Sequence, residues 1–523
     1  MIAPRRTSKR QLLWALPFLG ITGCATEQAC IPSGHLPGNM STVDALLPVS
    51  FTEPRPVTPA PNSTGQQPGK SFELPPGLPG SDAPLIRPPT VPPNATPSER
   101  DQALKAAYPT LPSIPEHKAP VGQPLSLSAL QQMAAGSNPS LRKAQADAEA
   151  AYGAMVQTGL YPNPVVGYQA DQIQPWLSPG ANAGQQGAFI SQVIKTAHKL
   201  SLAQQVAGYD YLNALVAARK TQVDVTGQIR SAYFALLVAQ QSVEINRSLV
   251  ALADEVYLLQ RKQVQAGEAA GYEPLQLYAQ ALQARSAMTQ AEANVRSSWR
   301  QLAAAVGQPT LAPQPITGRA DAVVPEFVLE NVQKQIQDLH TDLLTARNKQ
   351  LQSQANLSLQ QAIPTPDLQT NLILQQDTAG HTTQFGFQVG IALPIYDRNQ
   401  GNIRQAQAQI ASTSDAIPAT ENDLMSRLAE AMSRYEASKV TAASYRDLVL
   451  PNLARAYKAM IRRYQVEPDK VGFNDIIVAQ QNLATSLQTY LSSLDAQWKA
   501  VVDVANIGQL NDLYEQAVPQ TKP

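Results

Sequence analysis

Hydrophobic and polar residues alternate strictly along residues 384–393. Phe385, Phe387, Val389, Ile391 and Leu393 take one side of an extended segment, and Gln384, Gly386, Gln388, Gly390 and Ala392 the other. This pattern predicts a strand with one apolar face. It stops at Pro394, which cannot donate to a sheet ladder, passes the turn or N-cap residues Asp397 and Asn399, and becomes an Ala- and Gln-rich helical pattern from Gly401. A half-apolar strand of about ten residues suits a soluble sheet, and equally a transmembrane barrel with lipid outside and water inside.

The same order occurs earlier in the chain. A helical pattern from Asn138 ends at Pro162-Asn-Pro164, and another, running through Ala346, ends at Pro364-Thr-Pro366; the two punctuations lie 202 residues apart. Each is followed by a predicted strand (165–174 and 367–376), a loop, and a second strand (187–194 and 384–393). A long helix, a break and a closing helix complete each unit. In the closing helices, Ala284, Met288, Ala291, Val295, Trp299, Leu302 and Val306 step by three and four, as do Leu483, Leu487, Tyr490, Leu494, Trp498, Val501 and Ala505. Such steps make a seam of coiled-coil width, so these residues are structural and not a cofactor box. The long helix from Lys199 to about Ala266 would reach roughly 100 Å at about 1.5 Å per residue. Its counterpart contains Pro418, which is expected to kink or break it, and Pro451 raises the same expectation further along.

At the N-terminus, Arg5, Arg6, Lys9 and Arg10 precede an apolar run from Leu12 to Ile21, too short for a membrane span and suited to a secretory signal. The run ends in Thr22-Gly23-Cys24, which resembles a bacterial lipobox with Cys24 as the lipidated residue. The one other cysteine is Cys30, so with Cys24 acylated no intramolecular disulfide can form. Residues 25–122 hold about half of the chain's 42 prolines and read as a Pro-rich disordered tether without a core of its own.

Charge and motifs narrow the function. Lys and Arg total 40 against 40 Asp and Glu, and no basic face marks a nucleic-acid partner. The sequence has no GxGxxG, Walker loop, CxxC, HExxH or GxSxG motif, and its five histidines are dispersed. No enzyme, cofactor or metal centre is therefore expected.

Asn138-Pro-x-Leu141, Gly159-Leu-Tyr-Pro-Asn-Pro-Val-Val-Gly167, Leu393-Pro-Ile-Tyr-Asp-Arg-Asn-Gln-Gly-Asn402 and Arg463-Tyr-Gln-Val466 together resemble the TolC-like outer-membrane efflux proteins. The third segment is most similar to the cation-efflux type. The resemblance covers about 124–511 and implies a mainly α fold with a small β part. Each chain of a homotrimer would give four strands to a 12-stranded transmembrane β-barrel and its coiled-coil hairpins to a periplasmic α-barrel. It also implies a passive exit duct in the outer membrane, fed by an inner-membrane transporter through a periplasmic adaptor (a membrane fusion protein). The domain organisation is then signal 1–24, tether 25–122, repeats 123–322 and 323–511, and tail 512–523.

Elementary physics agrees, because no later apolar run approaches the 18 or more residues of a membrane helix, and four strands cannot close a barrel alone. By resemblance, Tyr464 is the tip tyrosine of the periplasmic gate, and Asp475 is the first of two entrance aspartates, the second position being Val478. Glu273 stands at an acidic position of the first hairpin, and Lys470 would bridge to it. The tips, Ala266, Gly267 and Glu268 in the first hairpin and Val466 and Gly472 in the second, would meet the adaptor; Gly, Pro and acidic residues there are also ordinary turn chemistry. The alternative is a periplasmic coiled-coil scaffold or adaptor lipoprotein without a pore.

Overall fold

A computed structural model describes residues 96–113, 122–173, 184–266, 270–467 and 471–513. All of them fall in one compact unit of the chain. The elements run α1 (Pro97–Ala107), α2 (Leu127–Ser137), α3 (Pro139–Thr158), β1 (Val165–Asp171), β2 (Gln185–Ile194), α4 (Lys199–Ala266) and α5 (Glu273–Val306). A second series follows: α6 (Leu329–Leu339), α7 (Thr341–Ala362), β3 (Leu368–Asp377), β4 (Thr382–Ile391), α8 (Gln400–Ser444), a π turn (Tyr445–Val449), α9 (Leu450–Val466) and α10 (Phe473–Ile507). The repeat thus has one more element than the sequence pattern predicts, because an 11-residue helix, α2 or α6, precedes each unit.

Equivalent residues do equivalent work in the two repeats. Asn138 and His340 are both buried and both cap a helix: the Asn138 side chain accepts from the Ser140 amide at 2.8 Å, and His340 Nδ1 from the Asp342 amide at 3.1 Å. Tyr233 and Tyr435 each donate a hydroxyl to a loop carbonyl, of Thr317 and Pro325. Trp299 and Trp498 likewise donate Nε1 to the carbonyls of Leu311 (3.0 Å) and Ala320 (2.7 Å). Buried indoles that find an acceptor can contribute their full apolar surface. Gly307, with φ 87°, ends α5 where an added Cβ would meet the Asn138 backbone at 2.7 Å, so the end of one helix seats on the cap of another.

Two apolar cores result. The larger one is a collar in which α2 packs on α4 and α5, and α6 on α8, joining the middle of α4 to the C-terminal parts of α5, α8 and α10 around Leu130, Ile229, Phe234, Leu302, Ile336, Leu428 and Trp498. The smaller lies at the helix tips, around Val256, Tyr257, Leu277, Tyr457, Tyr464, Ile476 and Ile477. At roughly 1.5–3 kcal/mol per buried large apolar side chain, the collar dominates.

Two expectations need correction. Pro418 does not break α8: it lies on an exposed face of an uninterrupted helix, where the carbonyl that loses its partner can turn to water. The interruption comes instead at the π turn just before Pro451, whose widened turn accommodates the proline ring. The tether does not run unstructured to residue 122, because α1 folds and Tyr108, immediately after it, is fully buried. Cys24 lies outside the described residues.

Candidate functional site

Two regions carry the functional argument, a sheet at one end of the long helices and the paired tips at the other. The sheet is an antiparallel meander in the order β1-β2-β3-β4. Its register places Val166 against Ile190, Ile190 against Leu372, and Leu372 against Phe387, while Leu374 faces Phe385 and Leu368 faces Ile391. These residues form one continuous apolar face, and it is open: Val166 is 71% exposed and Phe385 73%. The opposite face carries Gln169, Asp171, Gln369, Asn371, Gln375, Gln384 and Gln388. A sheet with apolar residues outside, amides behind, and unpartnered outer edges on β1 and β4 among the described residues has the pattern of a barrel segment in lipid. No described helix is long and apolar enough to cross a membrane.

Just outside the strands, Asp367 ties the two repeats together. It accepts from Lys195 Nζ at 2.8 Å, Lys199 Nζ at 2.7 Å and the Thr196 amide at 3.2 Å. Burial works against its charge, but the hydrogen bonds from the two lysines and the amide outweigh that and hold the carboxyl well below the usual carboxylate range.

At the tips, the structure brings together two of the sequence-predicted gate residues through a third that the sequence did not single out. Tyr464 is buried and donates its hydroxyl to Gln263 of α4, with Gln260 Oε1 at 3.4 Å; Gln260 in turn donates to Glu273 at the start of α5. The network joins the second hairpin to the first. Asp475 stands apart from it, exposed in the first turn of α10, where its carboxylate accepts from the Gly472 amide at 3.0 Å. Ala266 and Val466 are the last residues of α4 and α9, and Val466 is exposed. Gly267, Glu268 and Lys470 lie outside the described residues. Sequence reasoning also passed over a basic row on the exposed face of α9, Arg455, Lys458, Arg462 and Arg463, of which Arg463 meets Glu467 at 3.6 Å. The steps of three and four from Arg455 to Arg462 were the available signal. No described group of three or more His, Cys, Asp or Glu side chains could hold a metal ion.

Comparison with known proteins agrees with this geometry. Residues 130–308 match the family model of the outer membrane efflux proteins. The cobalt-zinc-cadmium resistance protein CzcC of Cupriavidus metallidurans is 24% identical over 395 residues, 75% of this chain and 92% of that one. Among solved structures, a membrane protein of Pseudomonas aeruginosa superposes with a TM-score of 0.64 at 19% identity, covering 76% of this chain and 99% of its own. A CusC structure, described with transmembrane channel formation, gives 0.63 at 16% identity, covering 75% and 98%. The outer membrane protein VceC of Vibrio cholerae gives 0.61 at 16% identity, covering 73% and 96%. The chain therefore has the fold of these proteins, and its residues 130–308 carry the pattern of the outer membrane efflux protein family model.

Proposed function

We propose that this chain is an outer-membrane efflux protein and acts as a homotrimeric exit duct. In this reading it is anchored by a lipid on Cys24 and receives divalent metal cations from an inner-membrane transporter through a periplasmic adaptor. The observation that carries the proposal is the open apolar sheet face joined directly to a 68-residue helix. A periplasmic scaffold has no use for Val166, Tyr168, Phe385 and Phe387 in water, whereas a barrel wall needs them in lipid. The cation assignment is supported by the likeness to CzcC and by Asp475, three copies of which around an axis would favour cations. Tyr464, Gln260 and Glu273 would hold the entrance closed, with Lys470 beside them, and the tips at Ala266, Gly267, Glu268, Val466 and Gly472 would meet the adaptor.

Detergent extraction of outer-membrane fractions, measurement of oligomeric mass and single-channel recording of wild type and Asp475→Ala test this. A trimer with small cation-selective conductance that rises in the variant is the expected result. A soluble monomer without conductance would refute the duct, and a trimer whose conductance ignores the substitution would move the gate away from Asp475.

A further inference from the structure

The segment 96–113 lies against the first hairpin only a few turns from its tip. Tyr108 is fully buried, and its hydroxyl donates to the carbonyl of Gly271 in the turn between α4 and α5 at 2.8 Å. In the reverse sense, Tyr257 of α4 donates to the Pro109 carbonyl at 2.7 Å, and Leu111 packs on the tip core. Arg285 of α5 is the third fastening. Its guanidinium grips Asp254 of α4 through two hydrogen bonds of 2.6 and 2.8 Å, and its Nη2 and Nε reach the Pro112 carbonyl at 3.1 and 3.3 Å. One planar fork thus joins both helices of the hairpin and the segment, a geometry a lysine cannot reproduce.

We propose that residues 96–113 are a latch that fixes the tip of the first hairpin and keeps α4 and α5 from separating there. The reasoning is a matter of counting constraints. The tip core is small, helix ends fray first, and a turn far from the collar is the part of the hairpin with the least to hold it. The segment supplies a buried aromatic ring and hydrogen bonds to both helices and to the turn at that place. The hydrogen bonds of Tyr108, Pro109 and Pro112 all go to the first hairpin. The latch stands whether or not the chain forms a pore; its effect on opening rests on the exit-duct reading.

Hydrogen exchange of the full chain in detergent tests the latch directly. In Tyr108→Ala, amides of residues 257–277 should exchange about tenfold faster, with those around Trp299 and Trp498 unchanged, as expected for local opening. Tyr108→Phe, which keeps the ring and loses only the bond to Gly271, and Arg285→Lys should give smaller accelerations at the same amides. Unchanged exchange at 257–277 in Tyr108→Ala and Arg285→Lys would overturn the proposal, and the Trp299 and Trp498 peptides report whether a variant has simply lost its fold. Single-channel recording separates the two ideas: wild-type protein that never conducts defeats the duct and leaves the exchange result standing.

Discussion

The two hairpins descend from one sequence pattern and reach equally far, yet they are built for different mechanical behaviour. The first is a single 68-residue helix paired with a 34-residue one, latched at its tip. In the second, the long arm is divided into α8, a π turn and α9, and its tip is held to the first hairpin through Tyr464. A duplicated chain can therefore keep its packing chemistry, with caps, tyrosines and tryptophans in matching roles, while it varies where a helix is allowed to bend.

Removing one residue from each hairpin tests that difference most severely. A π turn is an α-helix with one residue to spare, so deleting exposed Leu448 together with Pro451→Ala should leave a continuous helix, with stability within about 1 kcal/mol of wild type. Deleting Ser248 from α4 instead rotates everything beyond it by about 100° and pulls Val250, Ala253, Val256 and Tyr257 out of their packing. Loss of more than about 5 kcal/mol in denaturant unfolding is expected there. Equal tolerance of the two deletions would refute the mechanical distinction.

A smaller effect comes from the matched tryptophans. Trp498→Ala should cost about 4 kcal/mol, and Trp299→Ala about 1 kcal/mol less, because Trp498 alone lies flat on Phe234, with ring centroids 3.9 Å apart and planes 6° apart. Denaturant midpoints of the two variants measure the difference.

The smallest effect is a pH dependence confined to one repeat. Burial pushes the His340 pKa below its ordinary 6.5, with Asp342 opposing and Lys220 and Arg427 assisting. The folded state then binds fewer protons than the unfolded one, so the His340 contribution is complete above about pH 6.5 and is lost as pH falls toward the depressed folded value. His340→Asn reproduces the Asn138 cap without a titrating group. Its melting temperature should match wild type near pH 8 and exceed it near pH 5.

Much of the fold was legible because it rests on period. Steps of three and four from Ala284 to Val306 and strict alternation from Gln384 to Leu393 each record a buried or lipid-facing surface in the sequence itself. The boundaries of α4 followed directly. What escaped were features whose signal is not periodic. The helices α2 and α6 span only three turns each. Pro418 and Pro451 look alike as letters, and only the surface each one faces decides which of them disturbs the helix. The latch uses the backbone carbonyls of Pro109 and Pro112, which every residue possesses, so its proline-rich composition pointed to a tether. At the tips, Glu273 and Tyr464 were found through resemblance, but Gln260, which joins them, carries no charge and no motif to mark it.

The unequal lengths of the strands bear on how such a ring would fail. Within the chain, β2 zips to β3 over ten residue pairs, as does β3 to β4, whereas β1 has only seven residues to offer a neighbour. In a closed trimer, each joint between copies would set a short β1 against the longer β4 of the next chain. The β1–β2 ladder inside each subunit is equally short, at seven pairs, but its strands belong to one chain, whereas the three joints between copies hold by pairing alone, so under heat or detergent such a wall should come apart into intact protomers before any single sheet unravels.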